Sequence, residues 1–426
     1  MDASANRLGI EMMGLKVNCK RWGAALFLSV LSVQSVQAET LSDALIGAFN
    51  HSGLLEQNRA LLRAADEDVA IAMSALRPIV NFTGSLGRTL SQTTNSTGTV
   101  VRDTHNTSAT VGIAAELLLY DGGQSKFAIE AAKENVLATR ARLLSLEQSV
   151  LLRAIQAYMN VRRAFETVAL RQSNVRLITQ ELRAARDRFE VGEITRTDVA
   201  LAEARLAAAR SALAAAEGVL NTAQEEYRFA VGHKPGNLRA PKNLPKTESS
   251  VEKAKAIAVR NHPDMHAVQH DVAAADLNVM RAQSASRGTL KLRGGVNSSH
   301  SFTGSTKTNS GSLSLEANVP LYQGGRLPAL TRQAMARRDA ARSGLHITRH
   351  QVQQNVGNAI SQLRVSRASR DASERQIRAA RVAFRGVREE ANVGSRTTLD
   401  VLNAEQELLD ARSALISVQT DEFIAA

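Results

Sequence analysis

The chain has 426 residues, room for two domains of ordinary size. Aromatics make up only 4% and proline occurs 7 times, which argues against an aromatic-rich globular core and for long helices. The formal net charge is +12, but it comes without a nucleic-acid-binding motif or aromatics to stack on bases. Nucleic acid is therefore not an expected partner, and the arginines read first as solvated helix faces.

Residues 1–38 read as an export signal. Lys16, Lys20 and Arg21 precede an apolar run from Trp22 to Val33, and Val36-Gln37-Ala38 offers small residues before a cut after Ala38. The run is too short to cross a bilayer as a helix. The single cysteine, Cys19, lies before that run, so the exported chain is expected to carry no thiol, disulfide or lipid-anchor cysteine.

The remainder repeats itself. Leu119-Tyr120-Asp121-Gly122-Gly123 returns 202 positions later as Leu321-Tyr322-Gln323-Gly324-Gly325, and Val191-Gly192 with Asp198 returns as Val393-Gly394 with Asp400 at the same offset. Residues 39–231 form the first unit and 251–426 the second. The segment 232–250, holding Pro235, Pro241 and Pro245, links them.

Each unit reads as a short helix, two strands and two long helices. Asn50-His51-Ser52-Gly53 and Asn261-His262-Pro263-Asp264 mark helix starts, with Pro263 suited to a first turn. Strands are expected at about 79–90 and 107–119, then at about 289–300 and 310–321. Val111, Ile113, Ala115, Leu117 and Leu119 alternate with smaller or polar neighbours, as do Leu313, Leu315, Ala317, Val319 and Leu321. The segments Ser91–Asn106 and Ser301–Asn309, rich in Ser, Thr, Asn and Gly, read as exposed loops.

Glycine pairs then redirect the chain into helices expected at about 124–190 and 326–391, each followed by a returning helix at about 196–231 and 397–426. In the first long helix Leu137, Leu144, Leu151, Tyr158 and Phe165 recur every seven residues. Val136, Leu143, Val150, Ala157 and Ala164 form a second stripe beside them, so long helices are expected to coil together. Arg364, Arg367, Asp371, Glu374, Arg378, Arg381, Arg385 and Arg388 share one face of the second long helix. That face is either a wetted outer surface with ion pairs within the helix, or a basic lumen or groove.

Strands of this length with one apolar face match membrane β-strands. Four cannot close a barrel, and lipid tolerates no open edge. Chains must pool strands: two copies give eight, three give twelve. The competing reading is a non-conducting periplasmic coiled-coil scaffold or binding protein with two small hairpins.

At these residues the chain resembles the TolC family of outer-membrane efflux and secretion channels. Leu-Tyr-x-Gly-Gly occurs twice, and Val393 to Arg412 is the most specific stretch, similar above all to members serving type I protein secretion. The resemblance implies a mainly α fold with transmembrane β-strands: a homotrimer whose twelve-stranded β-barrel in outer-membrane lipid continues as a periplasmic α-helical barrel. It implies a passive exit duct joined by a periplasmic adaptor (membrane fusion) protein to an inner-membrane ABC or proton-driven transporter. By motif match, Val191, Gly192, Glu193, Ile194 and Thr195, with Val393, Gly394, Ser395, Arg396 and Thr397, are the adaptor-docking tips. Asp198, Arg396, Asp400 and Asn403 take the positions of the periplasmic gate, where Asn403 replaces a second acidic residue. Asp198 and Asp400 equally suit simple helix capping.

No P-loop is present, so energy must come from a partner. No nucleophile–base arrangement is readable, and no enzyme activity or cofactor is expected. His262, His266 and His270, and also His346 with His350, sit at four-residue steps, but no acidic motif accompanies them and no metal is expected.

Overall fold

Capping residues punctuate the first half of the chain. In the computed structural model, which describes residues 39–241, 243–248 and 250–426, Thr40 and Asp43 form a capping box on helix α1 (Leu41–His51). Ser52 then caps α2 (Gly53–Ser74). The expected signal segment 1–38 lies outside the described residues. Strands β1 (Ile79–Thr94) and β2 (Val100–Tyr120) follow, and then helices α3 (Gln124–Glu190) and α4 (Arg196–Val231).

The second half repeats the order. It runs through α5 (Val251–Asn261), α6 (Pro263–Ser284), β3 (Thr289–Ser301), β4 (Thr306–Asn318), α7 (Arg326–Asn392) and α8 (Thr398–Ala425). His262 caps α6, with Pro263 in its first turn. Helices α1 and α5, which precede the two expected helix starts, were not anticipated from sequence.

Two boundaries differ from the sequence expectation. The stretch 91–106 is mostly strand: β1 and β2 stay in register out to Thr93↔Arg102, and only Asn95–Thr99 turns. Its Ser, Thr and Asn side chains suit a ladder whose two faces both meet polar surroundings, so polarity alone did not mark a loop. Strand β4 begins at Thr306 and ends at Asn318 rather than 321, because Pro320 lacks the N–H that a ladder needs.

The four strands form one antiparallel sheet in the order β1-β2-β3-β4. The register sorts side chains cleanly. Phe82 faces Ile113, Ile113 faces Val296, and Val296 faces Gly311, while one step along Val80, Ala115, Gly294 and Leu313 align. Those positions share one face with Leu117, Leu292 and Leu315. Most of its large apolar side chains are exposed in the single chain, Phe82 by 74% and Leu313 by 77%, while Leu117 and Leu292 are half-buried. The opposite face carries Thr83, Thr110, Ser299 and Ser312, and a charged belt near the helical end. There Glu116 accepts from Lys291 (2.6 Å) and Arg293 (2.9 Å), and Arg293 also pairs with Glu316.

The strand-to-helix corner follows from glycine. Gly122 and Gly123 have φ of 68° and 93°, and a Cβ at Gly122 would lie 2.6 Å from the Arg287 Cβ. Asp121 fixes the corner by accepting from the backbone N–H of Gly123 (2.9 Å) and Ser125 (2.5 Å). Helices α3 and α7 then run 67 residues each, about 100 Å.

The apolar helix stripes meet in three clusters. One gathers Ala44, Ala48, Ala157, Tyr158, Val161, Ala164, Tyr227 and Val231, with Phe423 and Ile424 of α8 packed against it. A second joins Ile178, Leu182 and Ala185 to Ala202, Leu206 and Leu402, so α8 packs on α3 and α4 as well as α7. The third pairs Ile377 and Ala380 of α7 with Leu408 and Ala411 of α8. Of the two heptad stripes on α3, one is buried at Val136, Ala157 and Ala164 and half-buried at Leu143 and Val150. In the other, Tyr158 is buried, whereas Leu137, Leu144 and Phe165 stay exposed.

Candidate gate and helical tips

Both tips are built the same way. At the end of α3, Gly192 adopts φ 79°, and the N–H of Glu193 donates back to the Arg188 carbonyl at 2.9 Å. At the end of α7, Gly394 adopts φ 78°, and the N–H of Ser395 donates to the Glu390 carbonyl at 2.9 Å. Such left-handed glycine turns absorb the orphan carbonyls of a helix end. Val191 and Val393 are left exposed, by 71% and 81%. Glu193 and Thr195, with Gly394, Ser395, Arg396 and Thr397, are exposed too, while Ile194 is half-buried and packs toward α3 and α4.

The residues expected at a gate divide by what they touch. Thr195 and Asp198 form a capping box: the Thr195 N–H donates to Asp198 Oδ2 (3.0 Å), and the Asp198 N–H returns a bond to Thr195 Oγ1 (3.3 Å). Thr397 and Asp400 repeat it at 3.0 Å and 3.2 Å. The backbone N–H of Thr397, then its hydroxyl, hold the Asp400 carboxyl below its ordinary value, and the Arg396 guanidinium adds to this. Arg396 donates to Glu390 Oε2 at 2.8 Å across the turn, so its nearest partner is its own tip. Asn403 is exposed and accepts from Arg205 of α4 at 2.9 Å, which ties α8 to α4. The capping reading thus describes what Asp198 and Asp400 do within one chain.

The arginine stripe of α7 does not pair only within its helix. Arg367 approaches Glu422 of α8 (3.6 Å) and Arg388 approaches Glu181 of α3 (3.7 Å). Arg381, Arg385 and Arg388 line a cavity of about 690 Å³ walled by α3 and α7 and floored by α8. The floor holds a residue that sequence reading passed over. Glu405 is 5% exposed, and its Oε1 accepts from the Asn174 amide of α3 at 2.7 Å. Its Oε2 is buried without a hydrogen-bond partner. Burial pushes the Glu405 carboxyl up to about 7 against the opposing Asn174 bond; Glu181 adds to the rise and Arg388 opposes it. Its spacing held a signal: Leu402, Glu405 and Leu409 fall at three and four residues, a core-facing step.

Two of the regularly spaced histidines serve local structure. His262 accepts from the Asp264 N–H (3.2 Å) as a cap, and His270 meets Glu134 at 2.7 Å.

Comparison with known proteins agrees with this architecture. The family model described as outer membrane efflux protein matches residues 48–233 and 256–425. The outer membrane efflux protein BepC of Brucella suis biovar 1 is 36% identical over 96% of this chain and 89% of its own length. The alkaline protease secretion protein AprF of Pseudomonas aeruginosa is 26% identical over 84% of this chain and 76% of its own. Among solved structures, the outer membrane protein VceC of Vibrio cholerae superposes with a TM-score of 0.76 at 19% identity, covering 90% of this chain and 94% of that one. With the repeated strand–helix plan, the glycine-turned tips and a family match across both halves, the chain belongs to the outer membrane efflux protein family.

Proposed function

We propose that three copies of this chain form an exit duct in the outer membrane, with their helices in the periplasm. The duct passively conducts cargo received from an inner-membrane transporter through a periplasmic adaptor. The observation that carries the reading is the sheet. Its apolar face is exposed and continuous across four strands, its other face is polar, and β1 and β4 each leave one edge unpaired. Lipid demands that such edges be closed. Three copies supply twelve strands, enough for a lumen lined by Thr, Ser and the Glu116 belt. The exposed Leu137, Leu144 and Phe165 stripe supports the same assembly, since it offers a second apolar seam to a neighbouring copy.

The tips 191–195 and 393–397 are the proposed adaptor contacts. The half-exposed Asp400, repeated three times around an axis, forms the acidic mouth, with Asp198, Arg396 and Asn403 beside it. A ring of carboxylates favours cations at a narrow entrance. The similarity to a relative named for alkaline protease secretion supports a protein cargo.

Planar-bilayer recording of the purified protein tests the duct. Discrete conductance steps with cation preference are expected, and Asp400→Asn is expected to lower that preference while conductance persists. Protein inserted in the bilayer without conductance would favour the scaffold reading instead.

A further inference from the structure

We propose that Asn174 and Glu405 form a proton-operated latch that holds the α7/α8 pair against α3 near the tips. The inference rests on the channel reading for its functional meaning, but the latch itself is a property of the single chain.

Three observations place it. The Asn174 to Glu405 bond, at 2.7 Å, is a buried link between α3 and α8. The second carboxylate oxygen has neither a hydrogen-bond partner nor solvent. The contact lies on the floor of the cavity between α3 and α7, so a gap adjoins it on one side. A neutral carboxyl suits that position. A carboxylate does not, because one of its oxygens would carry charge in a site without a donor.

The surrounding charges come from three elements. From α3 the Glu181 carboxylate disfavours ionisation. From α7, Arg388 favours it but is engaged with Glu181 at 3.7 Å; Arg381, Arg385 and Glu389 line the same cavity. From α8 itself Arg412 lines the cavity floor. Burial outweighs these opposing charges, leaving the packed carboxyl at about 7. Once α8 parts from α3, water reaches Glu405 and its value returns toward the ordinary 4.5.

The sign follows by linkage. A value raised in the packed form means that protons favour packing. The preference for the packed form is full below about pH 4.5, falls about tenfold per pH unit up to about pH 7, and is flat above that. A more alkaline periplasm therefore releases α8 from α3, and an acidic one holds it.

Spin labels at Ser173→Cys on α3 and Glu407→Cys on α8 report the latch directly, because the only native cysteine is Cys19 in the export segment. The expected result in the otherwise unchanged protein is a shift to longer label distances between about pH 5 and about pH 7.5. Glu405→Gln keeps an oxygen for Asn174 but cannot ionise, so its distances are expected to stay short across the range. Conductance recorded in parallel is expected to rise with pH only in the protein that keeps Glu405. Distances that ignore pH, or that shift equally in Glu405→Gln, overturn the latch. A Glu405-dependent shift without conductance upholds the latch and overturns the duct.

Discussion

At the scale of single residues, Thr195 and Thr397 do the same job at equivalent places. Each closes a capping box on the aspartate three residues ahead. Thr397→Ala removes the acceptor for the Asp400 N–H and is expected to cost about 1 kcal/mol of local helix stability. Amide exchange at residues 398–401 checks it. The Asp400 value is lowered, so its share of the cap is present at neutral pH and lost as pH falls through the carboxylate range. The difference between the two proteins is therefore expected to shrink on acidification. These caps were legible in sequence because Thr, two residues and Asp is a local pattern. The Asn174–Glu405 bond was not, since it joins positions 231 apart and depends on which face of α8 turns inward.

At the scale of elements, the alternation of β2 and β4 was plain in sequence, while the reach of the β1–β2 hairpin was not. A ladder between two polar ribbons has no apolar periodicity to betray it. The face assignment yields a sharp expectation. Ile113→Arg places a charge on the apolar face, beside Phe82 and Val296, and is expected to destabilise the membrane-inserted fold by about 2–4 kcal/mol if it sits near the bilayer midplane. Ser312→Arg, on the opposite face, is expected to cost far less. Urea titration of both variants in lipid vesicles compares them. The heptad stripes of α3 were equally visible, but the pattern did not tell which stripe serves the chain's own core: Ala157 and Ala164 are buried and Phe165 is 66% exposed. Small side chains there let α4 approach closely, which volume rather than hydrophobicity decides.

At the scale of the whole molecule, the exposed apolar stripe is expected to act between copies. Phe165→Glu is expected to weaken each subunit contact by about 2 kcal/mol, the order of burying one such side chain. Sedimentation in detergent is then expected to show monomer for the variant and the proposed trimer for the unaltered protein. Unchanged trimer in that variant would assign Phe165 to another surface. The duplicated plan was evident from the constant offset of its motifs, yet the two halves are not equivalent in use. The α3/α4 pair anchors the cluster around Tyr158 and Tyr227, whereas α7 meets α8 through the smaller cluster around Ile377.

The inequality is greatest in the hairpins. Strands β1 and β2 span 16 and 21 residues, against 13 each for β3 and β4. About 9–11 residues suffice to traverse the hydrocarbon layer. In the proposed barrel, the surplus of the first hairpin, carrying the exposed Asn95, Thr97, Arg102 and Asp103, would extend beyond that layer. In the proposed trimer, three such ribbons would alternate with three shorter hairpins, giving the barrel a notched rim whose raised points stand farthest into water.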